Sequence, residues 1–423
     1  MATASLAEAP KSAAELEEYV AALFHAGGYF VEKNITERDF TEILELDAVA
    51  THYEDSLPVS VMAEAKSGRW GFSDIFKVVG WMRYLDIVRG GFFVAKVPTG
   101  FDIAAAQTKL APLGVALVDL GDFAKAREAF GAAGFLVVKD DLLVTIWRFS
   151  CWAERRLIEV LRSSAKSSGL KGPRVAFEYH RLVNDGIFFV KDIQDRLAAL
   201  YQAYQGHPKL SLGVAEELDG QAFDPDMPQP DNPKLREALL FGEHKILQSC
   251  FYVEHRARLA ILKAAVDYVC MTEGGQVPGK LRAALPATFR DGVDQLRKDR
   301  AFRRYALFWQ VFLWGHGGFY LKDRQAAEFQ WLQEQTGVPE DEIPNALQAF
   351  DVLFPIDGGW LTQLGAASQC VIVKMMPAPL RGIGAYHRLR RYGVKDYHEL
   401  GYGDYTERDL TRWQNRLVDL LAP

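Results

Sequence analysis

The chain has 423 residues, about half of them apolar and a quarter charged, as expected of a folded protein with two or three domains. The formal net charge of −6 rules out a global basic field of the kind that advertises nucleic-acid binding, but a local basic cleft does not need one. Cys151, Cys250, Cys270 and Cys370 are widely spaced and form no C-x-x-C pair, which argues against a zinc ribbon or a disulfide framework and for a reducing, cytoplasmic setting.

In chain order, "MATASLAEAPKS" lacks the apolar centre of a signal peptide, and no run of about 18 apolar residues follows anywhere, so no leader and no membrane association are expected. "SAAELEEYVAALFHAGGY" reads as a helix capped by Ser12, striped by Leu16, Val20, Leu23 and Phe24, and ended at Gly27-Gly28. "YFVEKNITE" is a predicted strand. "EILELDAVATHY" is a second, with Leu44, Leu46 and Ala48 on one face and Ile43, Glu45, Asp47 and Val49 on the other. After the turn-like "EDSLP", the strand "VSVMAEAK" sets Ser60, Met62, Glu64 and Lys66 on one face. The helix "SDIFKVVGWMRYLDIV" then directs Ile75, Val78, Val79, Met82 and Leu85 inward, and "GGFFVAK", "DIAAAQTKLAPL" and "GVALVDL" read as strand, helix and strand. The first domain is therefore an α/β unit over residues 1–138, with a mixed sheet flanked by helices. Residues 139–423 read as mostly helical, with one short strand candidate, "CVIVKMM". The acidic, proline-rich "LDGQAFDPDMPQPDNP" marks where this region would divide, near 219–233.

The second and third strands carry the chemistry. A hairpin centred on Asp55-Ser56 places Asp47 opposite Glu64 and Glu45 opposite Lys66, and opposed residues share a face with Cβ atoms about 5 Å apart. Two facing carboxylates repel, and a divalent cation is their natural compensation. Mg²⁺ takes one or two carboxylates, waters and phosphate oxygens, while a neighbouring lysine can hold an attacking water or a phosphate oxygen. The structural alternative is a Glu45–Lys66 ion pair across a solvated sheet face, with Asp47 and Glu64 simply exposed.

Helix, strand, strand with Asp47, strand with Glu64-Ala65-Lys66, helix, strand: this order resembles the αβββαβ core of the PD-(D/E)XK restriction-endonuclease-like superfamily. The opening "ELEEYVAALFHAGGYFVEKNI" is similar to the branch containing Mrr-type restriction enzymes and archaeal Holliday-junction resolvases. The resemblance spans about the first 135 residues. It implies that Asp47 and Glu64, with the Ala65 carbonyl, bind Mg²⁺ (or Mn²⁺), and that Lys66 positions the nucleophilic water. It also implies that a glutamate of the first helix, Glu17 or failing that Glu18, completes the acidic cluster. Leu46 stands where many members have Pro or Gly, and Glu64 where Mrr-type members often have Gln. The implied activity is a metal-dependent endonuclease acting on DNA in restriction or anti-phage defence, with the helical region recognising substrate or a partner protein. A homodimer is expected on the ground that cutting both strands of a duplex needs two sites. The alternatives are a nuclease for RNA or branched DNA, and an inactive scaffold on the same fold.

Other motifs carry less. "GGQVPGKL" nearly spells a phosphate-binding loop, but Leu281 replaces the required hydroxyl, so a glycine turn between helices is the better reading. His316 in "WGHGGF" reads as structural, and His244 and His255 lack a third metal ligand. Two basic stretches interleave arginines with aromatics and are candidate nucleic-acid contacts: Arg297, Arg300, Arg303 and Arg304 in the first, Arg388, Arg390 and Arg391 in the second. "GYGDYTERDLTRWQNRLVDLL" closes the chain as a helix, with Thr406 as cap and Asp409 three positions on.

Overall fold

The computed structural model describes residues 4–5, 9–38, 42–207, 210–219, 245–281, 285–364, 370–377, 379–382 and 401–402. The candidate sites His244, Arg388, Arg390, Arg391, Thr406 and Asp409, and most of the proline-rich linker, lie outside them. The chain divides into two compact units, one of Ala2–Trp152 with Asn184–Lys191, the other of Ala153–Val183 with Asp192–Pro423.

The first unit is built on α1 (Ala13–Ala26), β1 (Phe30–Arg38), β2 (Glu42–His52), β3 (Val59–Lys66), α2 (Phe72–Tyr84), β4 (Arg89–Val94), α3 (Ile103–Leu110), β5 (Val115–Asp119) and α4 (Ala126–Ala132). Ser12 Oγ caps α1 by accepting the Glu15 N–H at 3.2 Å, and Gly28, at φ 87°, makes the left-handed turn that follows it. The five strands form one mixed sheet in the order β1-β2-β3-β4-β5. The first two pairings are antiparallel and the last two parallel, as the α2 and α3 crossovers require. Central β3 is buried on both faces, the usual state of a strand sandwiched by helices.

Val49, Met62, Phe92 and Leu117 pack with Ile75, Val78 and Met82 of α2 and with Ala106 and Leu110 of α3. Phe24 of α1 meets Tyr29, Phe93, Phe130 and Phe135 edge-on, with ring centroids 5.1, 5.7, 4.9 and 5.3 Å away. Such pairs add about 0.5–1.5 kcal/mol each beyond the area they bury. They lock α1 and the segment around Phe130 and Phe135 onto the sheet.

The second unit is mostly helical, as expected. Its longest helix among the described residues, Lys245–Glu273, is buried from Leu247 to Cys270 despite carrying Glu254, His255, Arg256, Arg258, Lys263 and Asp267. Charge on such a helix must be matched internally: Lys263 pairs with Asp267 at 2.7 Å, and Glu254 accepts from the Ser211 N–H at 2.8 Å and from its hydroxyl at 3.0 Å. Burial, then the Arg258 charge, hold the His255 imidazole well below the usual histidine range, so it is neutral and donates from Nε2 to the Lys374 and Met375 carbonyls. Three strands rather than one form a small antiparallel sheet here, Phe319–Leu321, Cys370–Val373 and Leu361–Leu364 in spatial order. The expected "CVIVKMM" supplies the middle strand; its two neighbours are too short to register as alternation. The four cysteines are buried free thiols. Among the described residues no helix is long and apolar enough to cross a membrane.

Candidate metal centre on the central strands

β2 and β3 pair Ala48 with Ala63, Val49 with Met62, Ala50 with Val61, Thr51 with Ser60 and His52 with Val59. This is the register centred on Asp55-Ser56. The paired register stops at Ala48–Ala63; beyond it the Ala65 N–H donates to Asp47 Oδ2 at 2.7 Å, which holds Asp47 beside Glu64. Glu64 is only 4% exposed, in a run with Val61, Met62 and Ala63 at 0–1%. A buried carboxylate at the end of a helix-sandwiched strand is costly unless something compensates it.

Lys66 supplies part of that compensation. Its Nζ lies 2.5 Å from Glu64 Oε1, two residues back on its own strand, and the side chain remains about one-third exposed. The pair is thus Lys66–Glu64 along the strand, not Lys66–Glu45 across it; Glu45 is exposed and its charge acts on Glu64. The bland alternative of a cross-strand ion pair with Glu64 exposed is therefore not what the fold builds.

The electrostatics of the cluster follow from burial and like charge. Burial, then Glu64, then Glu17 push the Asp47 carboxyl well above the usual carboxylate range, against the pull of the Ala65 N–H and Lys66. Burial also raises Glu64; the hydrogen bond and charge of Lys66 oppose it, while Glu45 and Asp74 add to the rise. For Lys66, burial alone would lower the ammonium, but Glu64, Asp47 and Asp74 together outweigh it and raise the pKa. Glu17 is the α1 glutamate whose charge reaches Asp47, whereas Glu18 is buried. Glu17, Asp47 and Glu64 do not bring three oxygens within 4.8 Å of one another, and one oxygen of each strand carboxylate is already engaged, Asp47 Oδ2 by the Ala65 N–H and Glu64 Oε1 by Lys66. Two carboxylates, with the remaining positions left to water and substrate oxygens, suit the habits of Mg²⁺.

Asp74 was not singled out from sequence. It caps α2 by accepting the Gly71 N–H at 2.9 Å, and that capping role is its sequence signature. Its charge also reaches both Glu64 and Lys66, so one residue fixes the start of α2 and adds to the acidity of the cluster.

A pH dependence follows with definite sign. A carboxyl whose folded pKa is raised favours the protonated fold, so its contribution to stability is complete below the unfolded pKa and is lost as pH rises through the folded value. Asp47→Asn keeps an oxygen for the Ala65 N–H and removes the charge. At neutral pH it is expected to melt higher than the wild type, by about 2–4 °C for each kcal/mol of repulsion relieved. Near pH 4 the two melting temperatures should converge. Thermal melts across pH check this; a variant that melts lower at neutral pH would contradict the repulsion.

The other candidates are placed as follows. Arg297 pairs with Asp294 at 3.2 Å, Arg300 with Asp341 at 2.8 Å and Arg303 with Glu273 at 2.6 Å, while Arg304 reaches the Thr336 carbonyl at 3.4 Å. These guanidinium groups are thus engaged by their own chain, and nucleic acid would have to compete for them. Gly274-Gly275 forms the turn that ends the long helix, as expected of a glycine turn. His316 is buried, with Nε2 3.1 Å from Glu328 Oε2 and its ring 5.0 Å from that of Trp331, a structural arrangement.

Comparison with known proteins leaves the assignment to this geometry: no family model, no curated protein and no solved structure matches the chain.

Proposed function

We propose that the chain is a divalent-metal-dependent endonuclease that hydrolyses phosphodiester bonds in DNA, with Asp47, Glu64 and Lys66 as its working residues and Glu17 in support. The observation that carries the reading is the acid–acid–lysine cluster built around the buried Glu64, with Asp47 midway along β2 and Glu64 and Lys66 at the end of β3. Burial and mutual repulsion both penalise its ionisation, and a fold keeps such an arrangement for function rather than for stability. Asp47 and Glu64, with the Ala65 carbonyl, are the groups that would hold Mg²⁺ or Mn²⁺. The bound cation would polarise the phosphoryl group and acidify a coordinated water. Lys66 is kept as an ammonium by its acidic neighbours, so its role is to orient a water or a phosphate oxygen by donation, not to act as a base. The resemblance of the α/β unit to restriction-endonuclease-like proteins favours a restriction or anti-phage setting, with the helical unit recognising substrate or a partner.

The test is incubation of the full chain with plasmid DNA, single-stranded DNA and RNA, with and without Mg²⁺. Cation-dependent cutting of DNA is expected. Cutting of RNA alone would change the substrate, and no cutting of any of the three would refute the enzyme.

A further inference from the structure

The face of α2 beside the cluster exposes large aromatics that a folded chain ordinarily covers. Phe76 is 58% exposed and Phe72 is 38% exposed, one helical turn apart. Their ring centroids lie 6.5 Å apart, and they begin a ladder leading inward: Phe72 to Phe101 at 5.9 Å, Phe101 to Trp70 at 4.9 Å, Trp70 to Phe92 at 5.5 Å. The Trp70 indole is fixed by donating to the Lys96 carbonyl at 2.7 Å, and Phe92 is the register partner of Glu64. The outer rings thus stand on a rigid support that ends at the acidic cluster. Asp74, two residues from each ring and so on a different face of the helix, is the α2 group whose charge acts on Glu64 and Lys66.

Near these rings in the chain stand three cations, Arg69 before α2, Lys77 on it and Lys96 beside the Trp70 indole, against the α2 carboxylate Asp74. Arg69, Lys77 and Lys96 are exposed, and none of them makes an ion pair among the described residues. Exposed aromatic rings flanked by uncompensated cations are what an unpaired nucleic-acid strand requires, because bases stack on the rings and phosphates meet the cations. Duplex DNA keeps its bases stacked on one another and gains little from such rings.

Building on the nuclease reading above, we infer that Phe72 and Phe76, with Arg69, Lys77 and Lys96, form a stacking platform for unpaired bases. The substrate it delivers to Asp47, Glu64 and Lys66 is therefore a single-stranded or locally opened strand.

The test is fluorescence anisotropy of the full chain, in Ca²⁺ to limit turnover, with a labelled oligothymidylate and with a labelled duplex of the same length. The wild type should favour the single strand. Phe76→Ala should weaken single-strand binding by about 5- to 150-fold, the range of one lost base stack. Duplex affinity should stay within about twofold, and Phe76→Trp should retain single-strand binding. Equal loss on both probes, or no loss on either, would overturn the platform. So would a fall in oligomeric state of Phe76→Ala on size exclusion, which would mark the face as a contact between copies. The two readings fail differently. Mg²⁺-dependent cutting with unaltered Phe76→Ala binding sinks the platform alone, whereas a wild type that neither cuts nor binds either probe sinks both.

Discussion

Lys66→Ala is expected to lose at least about 10²–10³-fold in cleavage rate, the usual cost of removing one preorganised donor from a reacting phosphate or water. The fold should survive. Glu64 is the partner left behind, and because burial already raises its pKa, it can take up a proton instead of remaining as an unpaired buried charge. Asp47→Ala should be as inactive for a different reason, which a second measurement separates. Titration calorimetry with Mn²⁺ should show binding retained in Lys66→Ala and lost in Asp47→Ala, since the proposed function assigns the cation to the carboxylate and not to the ammonium. Unchanged cutting by the purified double variant would remove the cluster from the mechanism.

The second large effect lies in the helical unit. Glu254 and Arg258 are both almost fully buried on the long helix, with carboxylate and guanidinium 3.8 Å apart. Burial pushes the Glu254 carboxyl up, and the Arg258 charge and the two Ser211 donors pull it back. Arg258 is also held with its Cζ 4.0 Å above the Trp360 ring, and its Nη1 is 3.4 Å from His255 Nδ1. Glu254→Ala therefore leaves a buried cation against ring faces and a Ser211 N–H without its acceptor. The expected loss is about 3–5 kcal/mol, the cost of breaking a buried pair from one side. Glu254→Leu with Arg258→Met should recover most of it, because the penalty comes from the uncompensated charge and not from lost attraction. Melting temperatures of the three proteins check this; a single variant within about 1 kcal/mol of the wild type would show that water reaches the pair.

How much of this was readable in advance depended on the range of the interactions. The αβββαβαβ order and the β2–β3 register came from local signals: apolar alternation, a Ser cap, glycine stops, and a turn whose centre sets every pair on either side of it. Because register is arithmetic once the turn is placed, the nearness of Asp47 to Glu64 was legible in the letters. That Lys66 turns back to Glu64 instead of crossing to Glu45 was not, since both lie within reach and only burial of Glu64 decides between them. Glu17 was preferred over Glu18 from the resemblance alone; the burial of Glu18 and the reach of the Glu17 charge to Asp47 appear only once α1 is laid on the sheet.

The basic stretch Arg297–Tyr305 shows the same limit from the other side. Its composition suits nucleic acid, yet Asp341 and Glu273, which engage Arg300 and Arg303, come from elsewhere in the chain and are brought in only by helix packing. The exposed rings of α2 were legible only in part: periodicity left Phe72 and Phe76 off the inward stripe of Ile75, Val78 and Met82, but could not say whether another segment covers them. The sequence by itself thus determined the elements, their pairing and the placing of Asp47, Glu64 and Lys66 on neighbouring strands, because those depend on neighbours a few residues away. The tertiary structure decided which charges are compensated and which apolar groups are left to solvent, because burial is a property of the whole packed chain.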